Sequence, residues 1–325
     1  MPDSPHPSSL RPDAGVYCTV ADLAALKHRT GGFTLLPRQP VHSILAGTHA
    51  SRLRGRGLNF EELRRYLPGD DVRTIDWHVT ARTRKPHVRV YTEERDRPLL
   101  LVVDQRASMF FGSRRAMKSV TAAEAAALGA WRALRSGDRV GGIVFNGESQ
   151  TEVAPHRSDN RVLRLLSEIV RQNTALTAET PQRDDALNRA LERAAEIATH
   201  DHLVCVVSDF AGANQASLRP MTRITAHNDV LLAFVSDPLE ADLPDAGRVV
   251  AARGEERLEI DTGDRSLRSR FRSDFEERAA LLERLSRRRQ IPVLRLSTAE
   301  EVSRQFARAL GARLRPGMTG GGGPS

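Results

Sequence analysis

Five aliphatic residues closed by an acid make up "LLLVVD", Leu99 to Asp104, and the arrangement returns in "HLVCVVSD", ending at Asp209. Continuous apolar runs of this length, bounded by polar residues, suit strands covered on both faces. "RVGGIVFN", "DVLLAFVSD" and "PVLRLS" read the same way. Between them the apolar positions recur at helical spacing in "RAMKSVTAAEAAALGAWRALRSGD", "NRVLRLLSEIVRQ", "DDALNRALERAAEIATH", "NQASLRPMTRITAH" and a long stretch to Arg289, and a last helix follows "PVLRLS". "QTEVAPH" is a short extended piece, and "GRVVAARGEERLEIDTG" reads as a hairpin. Strands separated by helices predict a mainly parallel sheet with right-handed crossovers, a doubly wound α/β fold. Its strands are predicted at Leu99–Asp104, Arg139–Phe145, Leu203–Ser208, Val230–Val235 and Pro292–Leu296. Asp104 and Asp209 should then emerge at one edge.

Ahead of this alternation the pattern is mixed. It offers a short helix ("ADLAALKHR"), a Gly/Pro-bearing loop, a helical turn ("NFEELRRYL") and an extended segment ("PHVRVYTEERD"). The expected division is a disordered N-terminus over 1–15, an N-terminal segment packed on the sheet over 16–97, the sheet domain over 98–314 and a disordered Gly-rich tail over 315–325. Within the second of these, Gly69, Asp70 and Asp71 signal a turn, and Asp76 stands near Arg73 and beside Trp77. An acid, a cation and an indole suit fastening the segment to the sheet, with Trp77 in the core. A binding surface is the other reading.

Composition narrows the class. The chain is 40% hydrophobic over 325 residues, enough to bury a large core, and no apolar run approaches the roughly 18 residues that span a bilayer. The opening "MPDSPHPSSLRPDAG" lacks the basic and hydrophobic regions of a secretory signal, so the cytoplasm is the expected compartment. Cys18 and Cys205 lie far apart, and Cys205 inside "LVCVV" reads as a buried thiol. Net charge is +8, and of 49 basic residues only Lys27, Lys85 and Lys118 are lysines. "RLRGRG" and "RTRKPHVRV" are the best candidates for a nucleic-acid surface, but acids break up the remaining charge and no aromatic platform accompanies it. Nucleic acid is therefore not the expected partner.

Candidate chemistry sits at the strand ends, where open parallel sheets place ligands. Asp104, Ser108 and Asp209 offer carboxylate and hydroxyl oxygens of the kind that hold a hard cation such as Mg²⁺. Equally, strand-end Asp and Ser can simply cap the next helix. No Gly-x-Ser-x-Gly elbow or Walker loop occurs, and His78, His87 and His156 show no metal-ligand spacing.

An Asp-x-Ser-x-Ser turn after the first strand, with a later Thr and a later strand-end Asp, forms the metal-ion-dependent adhesion site of von Willebrand factor A domains, which this chain resembles. "RRYLPGDDVRTIDW", followed by "SM" and "FG", resembles more specifically the domain-of-unknown-function family 58, closely over Gly55 to Gly112 and more loosely beyond, "SDF" included. The resemblance implies that Asp104 is the first motif acid, Ser108 the last motif hydroxyl and Asp209 the later acid. Asp70, Asp71, Arg73, Asp76 and Trp77 belong to the family motif. Two departures stand out. Arg106 replaces the middle serine, and "PQRDDALNRAL" supplies no threonine in register, leaving Asp185 nearest. A guanidinium there could pair with Asp104, Asp185 or Asp209 and stand in for the ion, giving a degenerate, metal-free site. Arg106→Ser would then be expected to restore divalent binding.

The resemblance implies a non-enzymatic interaction module working with a MoxR-type AAA+ ATPase in the assembly or remodelling of protein complexes, with no cofactor expected and Mg²⁺ as the other reading. The alternatives are a metal-dependent hydrolase or phosphotransferase using Asp104, or an arginine-rich nucleic-acid binder. Phosphotransferases with a strand-end Asp usually need a second acid two residues on, where Arg106 stands.

Overall fold

The structure, a computed structural model, describes residues 15–31, 33, 35, 58–68, 70–93, 97–181, 183, 185–253, 256–289 and 291–311. The expected disordered ends fall outside these residues except for Gly15. Among the described residues, no helix is long and apolar enough to cross a membrane. Contacts divide the chain into two compact units: residues up to 35 together with those from 97 onward, and residues 36–96. The expected 16–97 segment is thus split, its described residues up to 35 clustering with those from 97 onward. There, α1 (Val20–Ala25) is closed by a capping box between Thr19 and Asp22. Trp131 Nε1 donates to Leu23 O at 3.1 Å, and Cys18 N–H donates to Asn173 Oδ1 at 3.0 Å, so helices after the first sheet strand hold this segment in place.

The second unit contains β1 (Leu58–Arg65), α2 (Trp77–Thr83) and β2 (His87–Glu93), with β1 and β2 antiparallel. The stretch read as a helical turn, "NFEELRRYL", is therefore a strand. A single helical turn is barely stable alone, whereas pairing with β2 satisfies the backbone along its length, so the modest helix preference of Glu, Leu and Arg is overridden. Asp70 receives both nitrogens of the Arg64 fork at 2.8 Å. Asp76, 7% exposed, caps α2 by accepting the N–H groups of His78 and Val79 at 3.0 and 3.1 Å. Trp77 is 69% exposed, which overturns its expected place in the core: its neighbour Asp76 is the residue buried at the start of α2. Trp77→Ala is accordingly expected to change unfolding free energy by no more than about 0.5 kcal/mol, read from urea midpoints, instead of the several kcal/mol of a core deletion.

From residue 97 the chain forms β3 (Leu99–Asp104), α3 (Lys118–Arg135), β4 (Val140–Phe145), β5 (Gln150–His156), α4 (Asp159–Thr174), α5 (Ala186–Ile197), β6 (Leu203–Ser208), α6 (Gln215–His227), β7 (Asp229–Ser236), α7 (Pro238–Ala241), β8 (Arg248–Arg253), β9 (Glu256–Asp261), α8 (Arg265–Arg289), β10 (Val293–Ser297) and α9 (Val302–Phe306). Six strands make one sheet in the order β10-β7-β6-β3-β4-β5, parallel except for the edge strand β5, and β8 and β9 pair as the expected hairpin. β3, β4 and β6 are buried along their whole length, as their unbroken apolar runs require. Leu100 and Val102 of β3 pack with α5, while Leu99 and Leu101 face Ala125 and Gly129 of α3. From β3 the chain runs to β4 and β5 on one side, then crosses back to β6 on the other. The carboxyl ends of β3 and β6 therefore flank the point where strand order reverses, the position at which open α/β sheets leave a crevice.

Candidate functional site

Asp104 ends β3 and Asp209 follows β6, both without solvent exposure. They converge as the sheet order demands. The Ser208 hydroxyl donates to Asp104 Oδ2 at 2.6 Å, and Arg106 Nη2 lies 2.7 Å from that oxygen and 3.6 Å from Asp209 Oδ1. The backbone turns sharply after Asp209: Phe210 is left-handed at φ 54°, costly for a bulky residue, and its N–H donates to Ser208 Oγ at 2.8 Å.

Arg106 grips Asp104 with a fork. Nε donates to Oδ1 at 3.0 Å and Nη2 to Oδ2 at 2.7 Å, while the Arg106 backbone N–H donates to Oδ1 at 2.9 Å. Nη1 donates to Ala211 O at 3.1 Å, and the guanidinium carbon lies 5.7 Å from the centre of the Phe145 ring. Of the three acids that Arg106 could have paired with, it takes Asp104 and approaches Asp209.

A second cation, which the sequence reading did not assign to the site, completes the arrangement. Lys118, at the start of α3, donates through Nζ to Asp209 Oδ2 and Glu240 Oε1, both at 2.8 Å. Arg278 of α8 reaches Glu240 Oε1 at 3.2 Å and donates to Asp209 O at 3.4 Å. Asp209 Oδ1 accepts from Ala211 N–H at 2.9 Å and from Ser108 Oγ at 3.3 Å. Three cations, Arg106, Lys118 and Arg278, thus meet three carboxylates, Asp104, Asp209 and Glu240. Lys118 is one of only three lysines in an arginine-rich chain, and that rarity was the available signal for it. For Glu240 the signal was "VSDPLE": another strand-end Asp, with Glu three residues later, is a capping box. Asp237 in that box ties the neighbouring loop down, accepting from the Ser113 N–H and hydroxyl at 2.8 and 2.7 Å and from Thr298 Oγ1 at 2.5 Å.

Asp185 is not brought in. It precedes α5 at the surface and its carboxylate faces Arg189 at 3.3 Å. Asp70, Asp71, Arg73, Asp76 and Trp77 belong to the second unit. Cys18 and Cys205 are buried thiols that form no disulfide among the described residues, and burial pushes the Cys205 thiol up to about 12.

As arranged, the donor set does not fit a divalent ion. Asp104 has both oxygens on the Arg106 fork and one on Ser208, and Asp209 has one oxygen on an ammonium. An incoming cation would have to displace positive charge already in place.

The electrostatics fix a pH dependence. Burial raises the Asp209 pKa, but Lys118 and then Arg106 outweigh it, leaving the carboxyl below its ordinary value. A carboxyl depressed on folding contributes stability above its unfolded pKa of about 3.9 and loses it as pH falls through the folded value. Lys118 is opposed by burial yet raised by Asp209 and Glu240, so its contribution is complete below about 10.4 and lost only as pH rises through the folded value. Urea midpoints should therefore fall steeply below about pH 4, and Asp209→Asn should flatten that limb.

The site floors a cleft of about 1020 Å³ at the carboxyl edge. Phe110, Phe111 and Ser108 line one side, Asn214 and Gln215 at the start of α6 another, and Phe271, Leu281 and Arg284 of α8 a third. Phe111 and Phe271 are 38% and 40% exposed.

Comparison with known proteins places this geometry in context. Residues 62–280 match the family described as "Protein of unknown function DUF58". The chain is 32% identical over 323 residues to "Uncharacterized protein Rv1480" and "Uncharacterized protein MT1527" of Mycobacterium tuberculosis and to "Uncharacterized protein Mb1516" of Mycobacterium bovis, covering 97% of this chain and 96% of each relative. A crystal structure of the conserved hypothetical protein BatB from Bacteroides thetaiotaomicron aligns over 66% of this chain and 96% of its own, at 14% identity and a TM-score of 0.38, too distant to bear on function. The match over residues 62–280 and the near full-length likeness to the mycobacterial proteins establish that the chain belongs to the DUF58 family.

Proposed function

We propose that the chain is a non-enzymatic protein-interaction module on a von Willebrand factor A-like sheet, whose metal-ion site is replaced by an internal ion-pair network. It acts with a MoxR-type AAA+ ATPase in assembling or remodelling protein complexes. The observation that carries this reading is the neutral floor of the cleft. Asp104, the nucleophile or metal ligand of a hydrolase or phosphotransferase, has both oxygens engaged by Arg106, while the space above offers exposed Phe111 and Phe271 to a partner. Aromatic side chains around a recess whose buried floor is already ion-paired favour association over chemistry, because binding there leaves those buried charges paired.

The test is capture of the full chain by the MoxR-type ATPase of the same genome in surface plasmon resonance. Phe111→Asp and Phe271→Asp, both at partly exposed positions, are expected to weaken that association at least about tenfold, worth about 1.4 kcal/mol, with melting unchanged. No association, or association indifferent to both variants, would remove the proposal.

A further inference from the structure

We infer that the unit spanning residues 36–96 carries a docking surface, centred on Trp77, for an acidic segment of a partner protein that also bears aliphatic side chains. The inference rests on reading the chain as an interaction module, and it adds the chemistry of a partner and a surface outside the sheet unit.

Among its described side chains, charges are spent unevenly. Asp70 is held by the Arg64 fork, Asp71 accepts the Arg73 N–H at 2.9 Å as a cap, and Asp76 caps α2. By contrast, Arg65, Arg73, Arg82, Arg84 and Lys85 are exposed and make no ion pair among the described residues. These three acids serve the fold, and these five cations face solvent. Such a surplus is complementary to an acidic partner and speeds its encounter.

The same unit exposes several apolar residues. Trp77 is accompanied by Leu67 and Val72, each 59% exposed, and by Leu63; these are four of the six large apolar side chains exposed among the described residues. Hydrogen bonds draw several of them to one end of the hairpin. Tyr66 N–H donates to Pro86 O at 2.9 Å and Asp76 N–H to His87 O at 2.8 Å, which brings Leu67 and Trp77, the next residues along, to the turn carrying Arg84 and Lys85.

Arg84 supplies a separate argument. It ends α2 in the left-handed region at φ 55°, where glycine is the favoured residue. Its side chain therefore brings a charge to this end of the unit at a backbone position that glycine would occupy without strain. The choice between protein and nucleic acid turns on Leu67 and Val72. Aliphatic side chains give bases nothing to stack on, and a single indole is not a stacking platform, whereas a tryptophan among arginines and aliphatics is the usual centre of a protein interface.

The experiment uses the full chain and a tryptophan-free Glu-Leu-Leu-Glu repeat peptide, labelled for anisotropy. Lys-Leu-Leu-Lys repeats, polyglutamate and oligothymidylate serve as comparisons. The Glu/Leu peptide is expected to bind, to shift Trp77 emission to the blue, to weaken as salt rises, and to lose at least about tenfold in affinity in Arg84→Gly and in Arg82→Glu/Lys85→Glu. Arg84→Gly should meanwhile melt no lower than the wild type, because glycine accepts that backbone conformation freely. Phe111→Asp and Phe271→Asp should leave this binding intact, so failure here and failure of the cleft reading show separately. Absence of peptide binding, equal binding of polyglutamate, preference for oligothymidylate, or indifference to Arg84→Gly would each overturn the inference.

Discussion

Lys118→Met is expected to cost about 3–5 kcal/mol of unfolding free energy, read from urea midpoints at neutral pH. Its ammonium is buried, 2.8 Å from both Asp209 and Glu240. Methionine fills a similar volume, so what is lost is charge: two carboxylates remain in a region of low exposure with only Arg106 and Arg278 nearby. Breaking a buried network from one side is costly because the orphaned partner cannot return to water. Removing the partners as well should recover part of the loss, so Lys118→Met/Asp209→Asn/Glu240→Gln is expected to be more stable than Lys118→Met alone. A single variant as stable as the wild type would show that the ammonium does not hold the two acids together.

Arg106→Ser is expected to cost a similar amount, about 3–5 kcal/mol, because Asp104 loses the bidentate fork on which both oxygens depend. The serine supplies a hydroxyl of the kind that the resembled adhesion-site pattern carries, and from sequence alone this single change should admit a divalent ion. The geometry revises that expectation. Lys118 still lies on Asp209, so Mg²⁺ would meet an ammonium already bound to one of its ligands. Calorimetry should therefore show no gain for Arg106→Ser and at least a tenfold gain, about 1.4 kcal/mol, for Arg106→Ser/Lys118→Ser, with Mg²⁺ raising the melting temperature of the double variant only. Tight stoichiometric binding of Mg²⁺ to the unmodified protein, abolished by Asp104→Ala, would contradict the replacement of the ion by Arg106 and Lys118.

The sheet was legible because its determinants are local. "LLLVVD" and "HLVCVVSD" are too apolar and too short to be anything but covered strands, and the intervening helical spacing leaves parallel pairing as the way to bury both faces. That reasoning also put Asp104 and Asp209 at one edge, where they lie. Arg106 was readable as a charge partner because it sits two residues from Asp104, within reach whatever the rest of the chain does.

What the tertiary structure alone decided are the encounters between elements distant in sequence. Lys118 meets Asp209 and Glu240 because α3 begins, and β6 and β7 end, at the same edge of the sheet; nothing local to "AMKSV" specifies this. Asp185 was nearest in register yet faces Arg189, because a carboxylate next to a helix on the surface is better solvated, with a cation one turn along, than drawn into a neutralised pocket. "NFEELRRYL" became a strand since its partner, not its own propensity, satisfies its backbone. Trp77 stands in solvent while its neighbour Asp76 is buried as the cap of α2, an order that composition cannot rank. Apolar runs specify strands through short-range burial, whereas the pairing of charges depends on which ends the topology brings together.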